Sequence, residues 1–277
     1  MKQLPDWAIL GAPRAGTTTL ASWLNRHPEG FVPPAKEVSY FDLYFDRGPQ
    51  WYADQFSGAT QRQRWGDATP GYLYSEIALD RLALAAPQAR LIVLLREPAE
   101  RVWSHYTYNR ALGLEPRSLA RALAAERRDP TNAPWRLPIG YLGCSRYARR
   151  LESVVRRFDR EQLLVLMFDD LRRDPTATFA AACRHLGIDS SVAPPDAEAH
   201  NAGRLPRSAL AQHGLMRVRA GRLPWHLGPR LARLNTKPGG YPPMPADVAA
   251  DLKAEFAGDN RALVRWLGRE LPAGWVT

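Results

Sequence analysis

At 277 residues, with 45% apolar and 10% aromatic content, the chain has material for a sizeable core, which excludes wholesale disorder and suits one large α/β domain. Its 38 Lys+Arg against 28 Asp+Glu leave a formal charge of +10, a surplus suited to an anionic ligand or partner. Cys144 and Cys183 are the only cysteines and neither belongs to a C-x-x-C pair, so the composition points to two reduced thiols rather than a disulfide framework or a cysteine metal cluster.

The N-terminus, "MKQLPDWAIL", has no apolar stretch of signal-peptide length, and no run of about 18 apolar residues occurs. A soluble protein of the cytoplasm, without a membrane span, is the expectation. Trp7 to Leu10 reads as a buried strand, followed by the turn "GAPRAG" and a helix from Thr17 to Asn25 stopped by "HP". The runs "ARLIVLLR" (89–96) and "QLLVLMF" (162–168) are continuously apolar, as in central strands of a parallel sheet covered on both faces. Helical patterns fall at 75–86, 99–112, 118–127, 145–158, 175–187, 246–257 and 259–270. The alternation predicts an α/β, P-loop-type three-layer fold, a central parallel sheet flanked by helices. Its ligand rim, at the carboxyl ends of the strands, would gather the turn at 11–17, the segment from 96 and that from 169.

Residues 199–246 differ in composition. They hold no Asp or Glu, while Arg204, Arg207, Arg217, Arg219, Arg222, Arg230, Arg233 and Lys237 fall inside them together with "PGGYPPMP". Within a single domain spanning 1–277, this basic, Pro/Gly-containing stretch reads as an insert or lid. It is either a solvated surface or a wall for an anion or an acidic partner, such as a carrier protein.

Gly11 and Gly16 have the G-x-x-x-x-G spacing of a phosphate-binding loop. In the nucleotide-triphosphatase form a lysine follows and reaches the β- and γ-phosphates. Here Thr17 occupies that place, and Arg14 is the only basic residue of the loop. Backbone N–H groups at the helix start, with the Thr17 and Thr18 hydroxyls, suit anionic oxygens. A plain βα turn with threonine capping is the alternative. The missing lysine argues against γ-phosphate chemistry. Sulfuryl transfer fits better, because the moving group carries only one negative charge.

"GAPRAGTTTLASWLNRHP" resembles the 5′-phosphosulfate loop of sulfotransferases that use 3′-phosphoadenosine 5′-phosphosulfate (PAPS), in particular the heparan-sulfate-type enzymes and their soluble bacterial relatives. Further stretches agree in order: "KEVSYFD" (36–42), "GDATPGY" (66–72), "LLREPAERVWSHY" (94–106), the run ending "DDLRRDP", and the C-terminal "TKPGGYPPMPADVAADLKAEF". The likeness spans residues 7 to about 270. It implies that Arg14, Ala15, Gly16, Thr17 and Thr18 hold the 5′-phosphosulfate. It gives the 3′-phosphate to Arg96 and Ser104, and the cover of the nucleotide to the loop with Lys237, Gly239, Gly240 and Tyr241. Glu37 would be the general base, with PAPS as co-substrate, 3′,5′-diphosphoadenosine (PAP) as product and no metal.

Two departures stand out. Arg14 replaces the loop's usual lysine, and an arginine, which keeps its proton, is a poor proton donor that can act electrostatically. Ala68 stands where the motif has a second lysine, with Asp67 in place of its glutamate; Lys36 is the candidate to supply the missing charge. The alternative enzyme is a P-loop kinase or nucleotide hydrolase with an altered loop, for which Asp169 and Asp170 would be the metal carboxylates. A nucleic-acid partner is not expected, since Trp225, His226 and Tyr241 are scattered among the charges. The acceptor of the sulfuryl group, whether small molecule, lipid, saccharide or carrier-bound intermediate, is not legible.

Overall fold

Trp7–Gly11 form β1, a strand whose five residues are all buried. In the computed structural model the described residues are 4–129, 140–195, 205–206, 236–237 and 241–275. Four further strands join β1: β2 (Gly30–Phe31), β3 (Arg64–Asp67), β4 (Arg90–Leu95) and β5 (Leu163–Met167), in the order β2-β3-β1-β4-β5. Every pairing in this sheet is parallel. The helices are α1 (Thr17–Arg26), α2 (Gly48–Asp54), α3 (Glu76–Ala85), α4 (Pro98–Leu112), α5 (Leu119–Arg128), α6 (Ala148–Val155), α7 (Phe168–Arg173), α8 (Pro175–Leu186) and α9 (Ala246–Leu267).

The chain divides into two compact units. Met1–Glu97, Tyr147–His200 and Gly258–Val276 form the first; Pro98–Arg146 and Asn201–Ala257, with Thr277, form the second. The parallel sheet lies wholly in the first. Trp23 of α1 meets Phe179 of α8 edge-on, ring centroids 5.9 Å apart. Ser153 of α6 donates to the Glu76 carboxylate of α3 at 2.7 Å. These two helix pairs flank the sheet. The continuous runs around Ile92 and Val165 are buried as expected, each large aliphatic side chain contributing about 1.5–3 kcal/mol.

Two strands, β2 at one edge of the sheet and its neighbour β3, were not legible in the apolar pattern. β2 has two residues, and β3 reads "RWGD", without an apolar run. β3 forms because its neighbours demand it: the Trp65 amide donates to the Asp6 carboxylate at 2.6 Å, and the ring of Trp7 lies against Gly66. A further difference concerns the C-terminus, where the two expected helices, 246–257 and 259–270, are one element. Gly258 interrupts the propensity at a cost of about 1 kcal/mol. Buried Leu252, Phe256 and Leu263 on either side outweigh that cost. The pattern over 145–158 resolves into a 3-10 turn at Gly143–Ser145 and the shorter α6.

The second unit packs α4 and α5 around Val102, Tyr106, Leu123, Tyr141, Leu142 and Phe256. Arg101 is fully buried within it. Its guanidinium donates to the Ser145 hydroxyl at 2.6 Å and to the Tyr141 carbonyl, and lies 3.2 Å from His105 Nδ1. Buried Glu126 accepts from the Leu142 and Gly143 amides at 2.9 Å each. Of the basic stretch 199–246, β6 (Leu205–Pro206) and β7 (Thr236–Lys237) pair antiparallel, and residues from 241 onward are described; the rest, including Gly239 and Gly240, lies outside the described residues.

A Cβ at Gly66 would fall 2.0 Å from the ring of Trp7, which is 1% exposed and has nowhere to move. Gly66→Ala is therefore expected to lower unfolding free energy by about 1–3 kcal/mol or more, as overpacking does. Urea denaturation of the variant beside wild type checks this.

Candidate active site

Three neighbouring strands, β1, β4 and β5, end side by side, and each delivers a functional group to the same rim. After β1 the chain turns through Arg14, which takes a left-handed backbone (φ 71°), and Gly16 (φ 90°), which caps α1. Only glycine fits position 16. Besides the positive φ, a Cβ there would fall 2.9 Å from both Phe168 and Leu171 of α7, the helix that follows β5. With Gly16 as N-cap, no side chain caps α1, and its first turn carries no acidic residue. The positive end of the helix is thereby left to an anion. Thr17 is buried and Thr18 is exposed at the helix start.

Arg96 follows β4. Its Nη1 donates to the Arg14 carbonyl at 3.3 Å, and its guanidinium lies 4.8 Å above the ring of Phe168. The Tyr147 hydroxyl donates to the Arg96 carbonyl at 2.8 Å. Arg96 is thus held against both the loop and α7. A strand-end arginine so engaged is a fixed cation, with the planar fork that suits a tetrahedral anion.

The third contribution comes from the segment after β2. Lys36 (φ 53°) and Ser39 (φ 53°) are both left-handed, so the chain doubles back twice within four residues. This places the Lys36 ammonium 3.1 Å from the Thr18 hydroxyl and 2.8 Å from Glu37 Oε1. Glu37 is 55% exposed and Lys36 only 20%. The ammonium therefore joins the start of α1 to a carboxylate open to solvent, as a site for an anion and a nucleophile requires.

Behind this segment lies a carboxylate of opposite character. Asp67, at the end of β3, is fully buried and accepts from the hydroxyls of Thr69 (2.6 Å), Tyr72 (2.9 Å) and Tyr52 (3.2 Å). Burial raises its pKa to about 6, against the lowering effect of the three hydroxyls. Burial, and the nearby Asp67 charge, push both tyrosines well up, so they remain donors. Ala68 beside it is fully buried.

Arg14, Ala15, Gly16, Thr17, Thr18, Lys36, Glu37 and Arg96 all lie in the first unit and meet at this rim. Ser104 and Tyr241 lie in the second. There Ser104 is a buried residue of α4, and its neighbour Trp103 donates from Nε1 to the Pro242 carbonyl at 2.8 Å, next to Tyr241. Lys237 belongs to β7. Asp169 and Asp170 are engaged on α7, the first accepting from Trp275 Nε1 at 3.1 Å and the second pairing with Arg173 at 2.5 Å. Among the described residues no group of three His, Cys, Asp or Glu side chains could hold a metal ion. No helix among them is long and apolar enough to cross a membrane. Sequence reading did not single out Phe168 or Thr69, nor assign Asp67 its hydroxyl cluster. A polar "DAT" closing a strand with two tyrosines near in sequence was the available signal.

The sulfotransferase domain family model matches residues 4–202. Mouse bifunctional heparan sulfate N-deacetylase/N-sulfotransferase 3 is 27% identical over 289 residues, covering 99% of this chain and 31% of that protein. Human heparan sulfate glucosamine 3-O-sulfotransferase 3B1 is 29% identical over 191 residues, covering 68% of this chain and 47% of its own length. The chain thus spans about a third to a half of the length of these relatives. Among solved structures, a sulfotransferase from Alicyclobacillus acidocaldarius shares the fold with a TM-score of 0.76 at 24% identity, over 98% of both chains.

Because the Asp67 carboxyl is raised in the folded state, its protonated form stabilises the fold. That contribution is fully present below the unfolded value of 3.8 and is lost as pH rises through about 6. Wild type should lose up to about 3 kcal/mol between pH 4 and 7 relative to Asp67→Asn, which has no carboxyl to titrate. Denaturant midpoints measured for both proteins across that range test the sign and the window.

Proposed function

The chain belongs to the sulfotransferase domain family, and on that premise we propose that it transfers a sulfuryl group from PAPS to a hydroxyl or amine of an acceptor, releasing PAP. The observation that carries this reading is the Thr18–Lys36–Glu37 chain at an uncapped helix start. A carboxylate thus lies near a helix start that lacks the lysine of nucleotide triphosphatases, which supports reading Glu37 as the base and the loop as an anion cradle.

The residues fit such a donor. The N-terminus of α1, Arg14 and Lys36 supply donors and positive charge for the 5′-phosphosulfate. Arg96 and Ser104 are assigned to the 3′-phosphate, and the 237–241 stretch to the nucleotide, by resemblance. PAPS supplies the activated sulfuryl group. Glu37 takes the proton of the acceptor as its oxygen or nitrogen bonds to sulfur. The bond from sulfur to the bridging oxygen breaks, and its electron pair stays on the 5′-phosphate. Arg14 and Lys36 neutralise charge that grows on that leaving oxygen, and Lys36 stands in for the lysine absent at Ala68. Fixing base and cradle on separate strand ends contributes orientation as well as charge. The names of the heparan sulfate relatives favour a saccharide acceptor.

Titration calorimetry in EDTA should show PAP binding without metal, weakened about 10- to 100-fold in Arg96→Ala, the loss of a charged hydrogen-bond donor. Magnesium-dependent ATP binding with PAP ignored would replace this reading with a kinase. Glu37→Gln should keep PAP affinity while transfer of labelled sulfuryl from PAPS falls about 10²- to 10⁴-fold. Lys36→Ala should slow the same transfer more than about tenfold, and a change under threefold would remove its assigned role.

A further inference from the structure

The Lys36–Glu37 turn is an improbable conformation. Two non-glycine residues three positions apart, Lys36 and Ser39, sit at φ 53°, where a side chain is crowded against its own backbone. Something outside the turn must hold it, and the groups that do so converge on Asp67. The Ser39 amide donates to Thr69 Oγ1 at 3.2 Å, and Thr69 Oγ1 donates to Asp67 Oδ1 at 2.6 Å. The Phe41 amide donates to the Tyr72 hydroxyl at 3.3 Å, and that hydroxyl donates to Asp67 Oδ2 at 2.9 Å. Between these two amides the ring of Tyr40 stacks on Tyr52 with centroids 4.6 Å apart, and Tyr52 is the third hydroxyl on Asp67.

We propose that Asp67 is a positioning residue, which clamps the Ser39 and Phe41 amides through the hydroxyls of Thr69 and Tyr72 and so holds Glu37 beside the start of α1. The inference rests on the reading of Glu37 as the base. An ionised carboxylate can only accept, so it draws the hydroxyl hydrogens of Thr69 and Tyr72 toward itself. Each oxygen is then left with lone pairs facing outward, where the two amides donate. Asparagine at 67 would present an N–H₂ group to one of the hydroxyls, whose own hydrogen would then have to turn away to another acceptor. The relay thus depends on a group that only accepts, and on hydroxyls that accept and donate at once. Arg81, donating to the Phe41 carbonyl at 2.9 Å, secures the far end of the same segment.

Backbone amide exchange followed by NMR tests the relay without any acceptor. Thr69→Val keeps the shape and removes the hydroxyl, Thr69→Ser restores it, and Tyr72→Phe removes the second hydroxyl alone. Thr69→Val is expected to speed exchange at Ser39 by about tenfold or more, with Tyr72→Phe doing so at Phe41. Thr69→Ser should return Ser39 to within about threefold of wild type, and amides of Leu20–Leu24 should be unchanged throughout. Wild-type protection at Ser39 in Thr69→Val overturns the proposal. So does failure of Thr69→Ser to rescue, or an equal loss of protection at Leu20–Leu24. PAP calorimetry and Glu37→Gln turnover on the same preparations test the sulfotransferase reading separately, so the two can fail independently.

Discussion

One aromatic ring organises the rim. Phe168, the first residue after β5, lies against Gly16 so closely that a Cβ there would fall within 2.9 Å, and its face lies beneath the Arg96 guanidinium. Through this ring the ends of β1, β4 and β5 are brought into register at the level of side chains. The parallel sheet makes their carboxyl ends neighbours; the ring makes them a site. The glycine at 16 answers two demands together, a positive φ and the absence of a side chain where Phe168 must pass. The tight turn and the anion cradle are consequences of one packing requirement.

The charges at the rim are sorted by exposure. Glu37 is open to solvent and paired with the Lys36 ammonium. Asp67 is fully buried among hydroxyls, where ionisation is resisted and the pKa moves to about 6. Two carboxylates thirty residues apart in sequence thus have different capacities. The exposed one is within reach of a molecule arriving from solvent; the buried one is bonded to three hydroxyls of its own fold. Neither capacity resides in the side chain itself, since both are set by what surrounds it.

Much of this was legible in the sequence. The buried runs of β1, β4 and β5 are continuous because both faces of a central parallel strand are covered, and such a pattern survives without tertiary information. The spacing of Gly11, Arg14 and Gly16, and the order of the later motifs, located the loop, Glu37 and Arg96. What could not be read were elements whose stability comes from elsewhere in the fold. β3 has no apolar periodicity and forms against Trp7 and Asp6. α9 runs through Gly258 because residues on both sides of it are buried. Arg101 is wholly internal and bonded to Ser145 and Tyr141, which no local pattern announces. Burial of a polar side chain depends on partners distant in sequence, which local patterns do not encode.

The left-handed backbone at Lys36 sets selection for robustness against selection for chemistry. A lysine there forgoes about 1–2 kcal/mol that glycine would recover in conformational energy. A library sorted only by heat resistance would drift toward glycine or asparagine at position 36, and each such winner would discard the ammonium that joins Thr18 to Glu37. Improving this protein by stability screening alone would therefore tend to erase its charge arrangement, at a residue whose side chain looks, from the surface, like an ordinary lysine.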